Sequence, residues 1–496
     1  MKKCVIIGSG LGGLSCGVIL AQNGYDVTVL EQGVQTGGCL QCFKRGGVKF
    51  ETGMHFIGSA SPGQTLSKLM RYLRLDNVKL SQLDESGYDI VSMQSGRFKF
   101  ANGREPFIEQ MGSYFPAEKD NIVMYYDIIE RIAQASSLHS LRHAENDMVV
   151  NTFYQTISIN EVLDGLFNDE LLKSVLVGNL PLYAAEKDKT PFSQHAFIMD
   201  FYNQSAYRIV GGSDSIASSL CRTIESFGGE VLSKHKVTKI VCDETQATGV
   251  EVNGDEFMQA DIVIADIHPA RVLELLETKM IRPAFRNRIS SLRNTTPGFS
   301  AYLKFKPDTV PYMNSNFYSF KGDSPWNCEN YTEVDWPKGY LYMHMCHEDN
   351  PRYAQSGVIL SYMNMEEVIK WSGTCVGRRG RDYELFKQEK AERLIATVEK
   401  DFPGLRGSIE AVYTATPLTY RDYTGTENGS MYGVAKDITS GAACRVPHKT
   451  KVPNLLLTGQ NINSHGMLGV LVGSIVTCSE LLTSGAIYNQ IIEANR

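Results

Sequence analysis

The chain has 496 residues, enough for two or more packed layers, since single hydrophobic cores stop growing at roughly 250–300 residues. Its 43% hydrophobic and 21% charged content is that of an ordinary globular enzyme and excludes a disordered or fibrous chain. A net charge of −6, from 55 acidic against 49 basic residues, gives no field for a polyanion, so nucleic acid is excluded as a partner.

In chain order, Met1-Lys2-Lys3 runs directly into the apolar Cys4–Ile7, a strand buried on both faces, with no targeting segment expected before it. Gly8-Ser9-Gly10-Leu11-Gly12-Gly13 follows, then a predicted helix over Leu14–Gln22 closed by Gly24, and a second strand over Val27–Leu30 ending at Glu31. This is one βαβ unit with G-x-G-x-x-G in register at Gly8, Gly10 and Gly13. The first glycine permits the tight turn, the second lets backbone approach a diphosphate, and the third lets helix pack on strand. The diphosphate then meets the amides of the helix N-terminus, and Glu31 stands where a carboxylate accepts from ribose hydroxyls.

Past Glu31 the chain reads Gln32 to Thr36 and then Gly37-Gly38-Cys39, an extension of the fingerprint found in flavoproteins of the glutathione-reductase-like kind. FAD is therefore preferred over NAD. Next come Glu51-Thr52-Gly53-Met54-His55 and, from 63 to 204, a helix-rich amphipathic stretch such as Ile122–Ala133. Further strands of the first sheet are expected at Glu230–Leu232, Asp261–Ala265 and Asn454–Thr458. Between 286 and 424 alternating strands (Ala301–Phe305, Gly339–Met345, Val358–Met363) surround one charged helix, Arg381–Lys400. Near the end, Gly466, Gly469 and Gly473 open an apolar helix, too short to span a bilayer, whose N-terminus suits the anion of a reduced flavin. The expected fold is a doubly wound α/β, glutathione-reductase-like FAD domain with an inserted mixed α+β substrate domain. FAD-binding parts fall at 1–62, 205–285 and 425–496, and substrate parts at 63–204 and 286–424. No second strand-turn-helix copy is seen, so no dedicated nicotinamide domain is expected.

The chain resembles the carotenoid isomerase, phytoene desaturase and all-trans-retinol 13,14-reductase (retinol saturase) group of FAD enzymes. The resemblance covers most of the sequence and rests on the motifs above. It also rests on Phe115-Pro116-Ala117-Glu118, Ser193-Gln194-His195-Ala196, Gly211-Gly212-Ser213-Asp214, Gly228-Gly229-Glu230-Val231, Val237-Thr238-Lys239-Ile240 and Thr458-Gly459-Gln460. It implies that Val237 holds the adenine through its backbone and that Gly459 and Gln460 lie along the ribityl and diphosphate. Met467 and Leu468 would approach the isoalloxazine. The cofactor-binding set is then Gly8, Gly10, Leu11, Gly13, Glu31, Gln32, Gly38, Cys39, Gly53, Met54, Val237, Gly459, Gln460, Met467 and Leu468. One departure stands out: Arg208-Ile209-Val210 precedes the double glycine where relatives of this kind carry aromatic-Pro.

The resemblance implies redox chemistry on C=C bonds of an apolar, isoprenoid-like polyene, with an external reductant or NAD(P)H as electron source. An amine-oxidase-like enzyme is the alternative, and a flavin-less lipid chaperone of the same fold is a third reading. His55, beside the flavin-proximal Gly53-Met54, is the candidate catalytic proton donor. Tyr340, Tyr342 and Tyr353, with Tyr420 to Tyr432, are expected to line the substrate pocket.

Cys39-Leu40-Gln41-Cys42 is a C-x-x-C with no second ligand pair at zinc spacing, and His344 and His347 fall on opposite faces of a strand, so no metal is expected. The 11 cysteines, odd in number, suit reduced thiols in a cytoplasmic protein. Arg378-Arg379-Gly380-Arg381 reads as a solvated loop, with anionic lipid and peripheral membrane contact as the alternative.

Overall fold

The computed structural model describes residues 1–136, 141, 148–348 and 352–496. A parallel five-stranded sheet is assembled from β1 (Lys3–Ile7), β2 (Asp26–Glu31), β3 (Glu230–Ser233), β4 (Ile262–Ala265) and β5 (Leu455–Leu457), in the spatial order β3-β2-β1-β4-β5. Every pairing in it is parallel. The helices α1 (Leu11–Ala21), α2 (Asp214–Ser226) and α3 (Gly466–Ser479) cover one face. An antiparallel sheet of Val237–Cys242, Ala247–Val252 and Glu256–Gln259 packs on the other. Burial on both faces explains why β1 and β4 read as unbroken apolar runs. The order reverses at β1, so its C-terminal end, beside that of β4, forms the crevice where ligands bind in such sheets.

The second body is built on a seven-stranded sheet in the order Ile409–Ala415, Gly298–Phe305, Ser356–Tyr362, Gly339–His344, Asn316–Phe320, Asp89–Met93 and Gly96–Phe100. The last two strands form a hairpin inside the segment that reads helix-rich in sequence. The hairpin enters this sheet by the parallel pairing of Asp89–Met93 with Asn316–Phe320.

Alternation decides the rest. Leu341, Met343 and Leu360 face one core, with the helices Lys119–Gln134 and Phe192–Gln204. Tyr340, Tyr342 and Ile359 face the other, against the helix Arg381–Val398. A small sheet of Ile57–Gly58, Ala206–Ile209 and Leu80–Gln82 joins the two bodies.

Candidate active site

A cavity of about 1230 Å³ runs between the two bodies. It exceeds the roughly 300–1,000 Å³ of a pocket for one drug-sized ligand, and so has room for a dinucleotide with a substrate beside it. At its nucleotide end the wall is largely backbone. Gly8 has φ +97°, which a side chain would strain, and a Cβ on Gly13 would stand 2.2 Å from the Gly8 carbonyl oxygen. The loop is therefore closed to any other residue at those positions, while the first turn of α1 carries no acid. Glu31 is held in place by Ser9, whose amide (3.2 Å) and Oγ (2.6 Å) both donate to it, and by the Gly33 amide at 2.7 Å. The chain at Lys234 and His235 hooks onto Gly33 and Glu31 through backbone hydrogen bonds, which brings Val237 to the same end.

Gly8, Gly10, Leu11, Glu31, Gln32, Gly38, Cys39, Gly53, Met54, His55, Val237, Gln460, Met467 and Leu468 all line the cavity. Gly13 and Gly459 do not. Gly13 serves the packing of α1 on β1. Gly459 lies behind the Asp266 carboxylate, where an added Cβ would stand 2.1 Å from Oδ1, and its neighbour Gln460 is the one of the pair that lines the cavity. The amide end of α3 opens onto the cavity from Gly466 to Val470.

At the other end the wall is side chain: Phe56, Leu182, Phe197, Ile198, Leu341, Met343 and Leu360. Tyr420, Tyr423 and Tyr432 line it as expected. Tyr340, Tyr342 and Tyr353 do not: for Tyr340 and Tyr342 the expectation is overturned by strand parity, and Tyr353 lies before the strand Ser356–Tyr362, bridged to Pro311. Tyr340 Oη donates to Asp401 at 2.5 Å, and Tyr342 Oη shares a 2.7 Å hydrogen bond with His344 Nε2, on the far side of the sheet.

Four residues that matter here were missed. Asp266, at the end of β4, accepts from the Gly13 amide at 2.7 Å, and burial and then the charge of Glu31 push its carboxyl up to about 7. Its signal was its place directly after the fourth parallel strand. His465 caps α3 and stacks on Tyr432 with centroids 4.9 Å apart, and burial pushes its imidazole down to about 4.

Glu51 ends the strand Val48–Glu51, and its Oε2 stands 3.6 Å from His55 Nδ1. Arg208, the departure noted in sequence, is 1% exposed. It donates to the His55 carbonyl (3.3 Å), the Ser315 carbonyl (3.0 Å) and Asn316 Oδ1 (3.0 Å). Asn316 in turn donates to Asp89 at 2.8 Å, whose carboxyl is pushed up to about 7 by burial.

Cys39 and Cys42 are free thiols, pushed up to about 11 and about 12, chiefly by burial. His344 accepts from the Met313 amide (2.9 Å) and His347 pairs with Ser356 Oγ (2.8 Å). Among the described residues no three His, Cys, Asp or Glu side chains gather as a metal site. Arg379 is buried against Asp422, which removes it from any lipid-facing loop, and of the three arginines in that run Arg378 and Arg381 are the exposed ones.

Residues 11–475 match the family described as flavin containing amine oxidoreductase. The chain belongs to that family. As a member it is an FAD-dependent oxidoreductase, and the glycine cradle and helix ends described above fit that cofactor. All-trans-retinol 13,14-reductase of Rattus norvegicus is 29% identical over 98% of this chain and 86% of the relative. Prolycopene isomerase 2, chloroplastic, of an Oncidium hybrid cultivar is 23% identical over 95% and 82%. An oxidoreductase from Methanosarcina mazei shares the fold, with a TM-score of 0.65 at 15% identity over 96% of this chain and all of that one. Among the described residues no helix is long and apolar enough to cross a membrane.

Proposed function

We propose that this flavoenzyme saturates, desaturates or isomerises a C=C bond of an apolar, isoprenoid-like polyene. The observation that carries it is the substrate end of the cavity. The acids in the cavity wall are Glu31, Asp266 and Glu274 in the nucleotide half, Glu366 and Glu427 in short turns, and Asp422 on the helix Pro417–Thr424, and none of them lies on the strands Gly339–His344 and Ser356–Tyr362 or the helix Phe192–Gln204 of the apolar wall. Asp422 is already engaged by Arg379 and Arg421. An amine would leave its cation unpaired there, at a cost of several kcal/mol, whereas each buried methylene contributes about 0.8 kcal/mol. The retinoid and carotenoid chemistry in the names of the two relatives points the same way.

Bound FAD supplies the hydride donor or acceptor. Gly8, Gly10 and Leu11 would meet the diphosphate, Glu31 and Gln32 the ribose, and Val237 the adenine. Gly38, Cys39 and Gln460 would lie along the ribityl. Gly53, Met54, Met467 and Leu468 would flank the ring, and the amides of α3 would stabilise negative charge on it. His55 would give the proton that saturation needs besides the hydride, or take it in the reverse direction. Net reduction draws two electrons from an external donor such as a reduced nicotinamide, docking transiently. Exposed Ile369 and Tyr423 at the cavity rim suit a cytoplasmic enzyme that takes its substrate at a membrane surface.

The test incubates oxidised and photoreduced enzyme separately with all-trans-retinol, prolycopene, phytoene and primary amines. Polyene products from the reduced state mean saturation or isomerisation, and polyene products from the oxidised state mean desaturation. Peroxide release with amines alone overturns the reading.

A further inference from the structure

We propose that Glu51 is the positioning residue for His55: its buried carboxylate holds Nδ1 and so presents Nε2 to the cavity. The inference rests on the reading of His55 as proton donor. The strand Val48–Glu51 ends at Glu51, and the chain then turns tightly around Cys39. The Thr52 Oγ1 donates to the Gln41 carbonyl at 2.7 Å, and a Cβ on Gly53 would lie 3.0 Å from the Cys39 carbonyl oxygen. That turn brings His55 back over Glu51, with Nδ1 3.6 Å from Oε2. Apo geometry of catalytic pairs is often this long, and tightens when the site is filled.

Glu51 is 4% exposed, and among the described residues its one ion-pair partner is His55. Its Oε1 and the His55 Nδ1 are both buried without a hydrogen bond. A carboxylate in such a place is costly unless it is paired, and a purely structural role would be served by an uncharged amide. The other groups that face the pair are few. Arg208 reaches the His55 carbonyl, and the Ser213 amide and the Cys42 thiol face the carboxylate, with Asp214 behind Cys42. Burial pushes the Glu51 carboxyl up, while His55 and Arg208 act in the opposite direction.

A carboxylate at Nδ1 stabilises the imidazolium, fixes the tautomer of the neutral ring, and leaves Nε2 as the atom that exchanges a proton with substrate. After the proton is delivered, solvent restores it to His55.

The experiment is carbethoxylation of FAD-loaded protein by diethyl pyrocarbonate from pH 5.5 to 8, following the His55 peptide by mass spectrometry, with His55→Asn as the assignment control. Only the uncharged ring reacts. In Glu51→Gln the reaction should therefore be several-fold faster than in wild type at the acid end of this range, and the two should converge as pH rises. Glu51→Asp, which keeps the charge, should follow wild type and serves as the second variant. Superimposed profiles for wild type and Glu51→Gln overturn the proposal.

A second readout is single-turnover reaction of photoreduced enzyme with all-trans-retinol. Its rate should be several-fold lower in Glu51→Gln than in wild type and should recover in Glu51→Asp. Separated modification profiles with no turnover of retinol, prolycopene or phytoene and peroxide release with amines would leave the positioning role standing and sink the polyene reading. Turnover with coincident modification profiles would do the reverse.

Discussion

At the nucleotide end of the cavity the wall is largely peptide backbone: Gly8, Gly10, Gly12 and the amide ends of α1 and α3, with the carboxyl groups of Glu31, Asp266 and Glu274 among its few polar side chains. At the other end it is side chain throughout, from Phe197 and Ile198 on a helix to Leu341, Met343 and Leu360 on the seven-stranded sheet. A wall of backbone takes the same shape whatever sequence surrounds it and tolerates almost no substitution. A wall of side chains can be reshaped one residue at a time, so one fold can keep its cofactor while its substrate changes.

The sharpest way to break that comparison is Gly10→Val. An added Cβ would lie 2.6 Å from Asp266 Oδ2, on the surface where backbone has to meet diphosphate. The purified variant should be colourless and should not recover FAD absorbance on reconstitution. A yellow Gly10→Val protein would mean that the cofactor does not use this loop.

Met343→Trp should do the opposite at the other end. Flavin content should be unchanged while kcat/KM on a polyene falls roughly 10–100-fold, since overpacking costs about 1–3 kcal/mol. Loss of flavin together with activity would show that the two ends are not independent.

Asp266 is pressed against the glycine loop, accepting from the Gly13 amide, and it gives the backbone end a pH dependence. Its carboxyl titrates at about 7, so it is largely neutral at pH 6 and charged at pH 8. A diphosphate beside it penalises the charged form further. FAD should therefore bind more tightly at pH 6 than at pH 8, by roughly tenfold. Asp266→Asn should flatten that dependence in a flavin-fluorescence titration, and an equally steep profile in Asp266→Asn would place the titrating group elsewhere.

The smallest effect belongs to a residue outside both walls. Tyr342→Phe removes the hydrogen bond to His344 and should lower stability to urea by about 1 kcal/mol with activity unchanged.

The same contrast explains what could be read from sequence. The glycine loop, Glu31 and the Gly466 helix were legible because stereochemistry demands particular residues at fixed spacing. Tyr340 and Tyr342 were misplaced because their strand is buried on both faces. Tyr340, Leu341, Tyr342 and Met343 are 3%, 2%, 1% and 0% exposed, so alternation gives two parities and nothing local says which of them meets the cavity. The hairpin Asp89–Phe100 was hidden for a similar reason, since its partner strand Asn316–Phe320 lies far along the chain. Glu51 belonged to a recognised motif, but its pairing with His55 depends on a turn around Cys39 that spacing alone does not specify. Arg208 could be seen only as a departure from its relatives, because its partners Ser315 and Asn316 come from the other body.

The pairing order of the parallel sheet also sets a timetable for the chain's biogenesis. β1 finds β2 within one βαβ unit, but its other neighbour is β4, and β4 must still wait for β5 at Leu455–Leu457. Translation at roughly 5–20 residues per second separates the synthesis of β1 from that of β5 by tens of seconds. Through that interval Val5 and Ile7 have no finished core to enter, and α3, which closes the crevice, has not yet been made. A sheet of such high contact order completes itself late. The crevice at the C-terminal ends of β1 and β4 is therefore complete only once the last segment of the chain has been made.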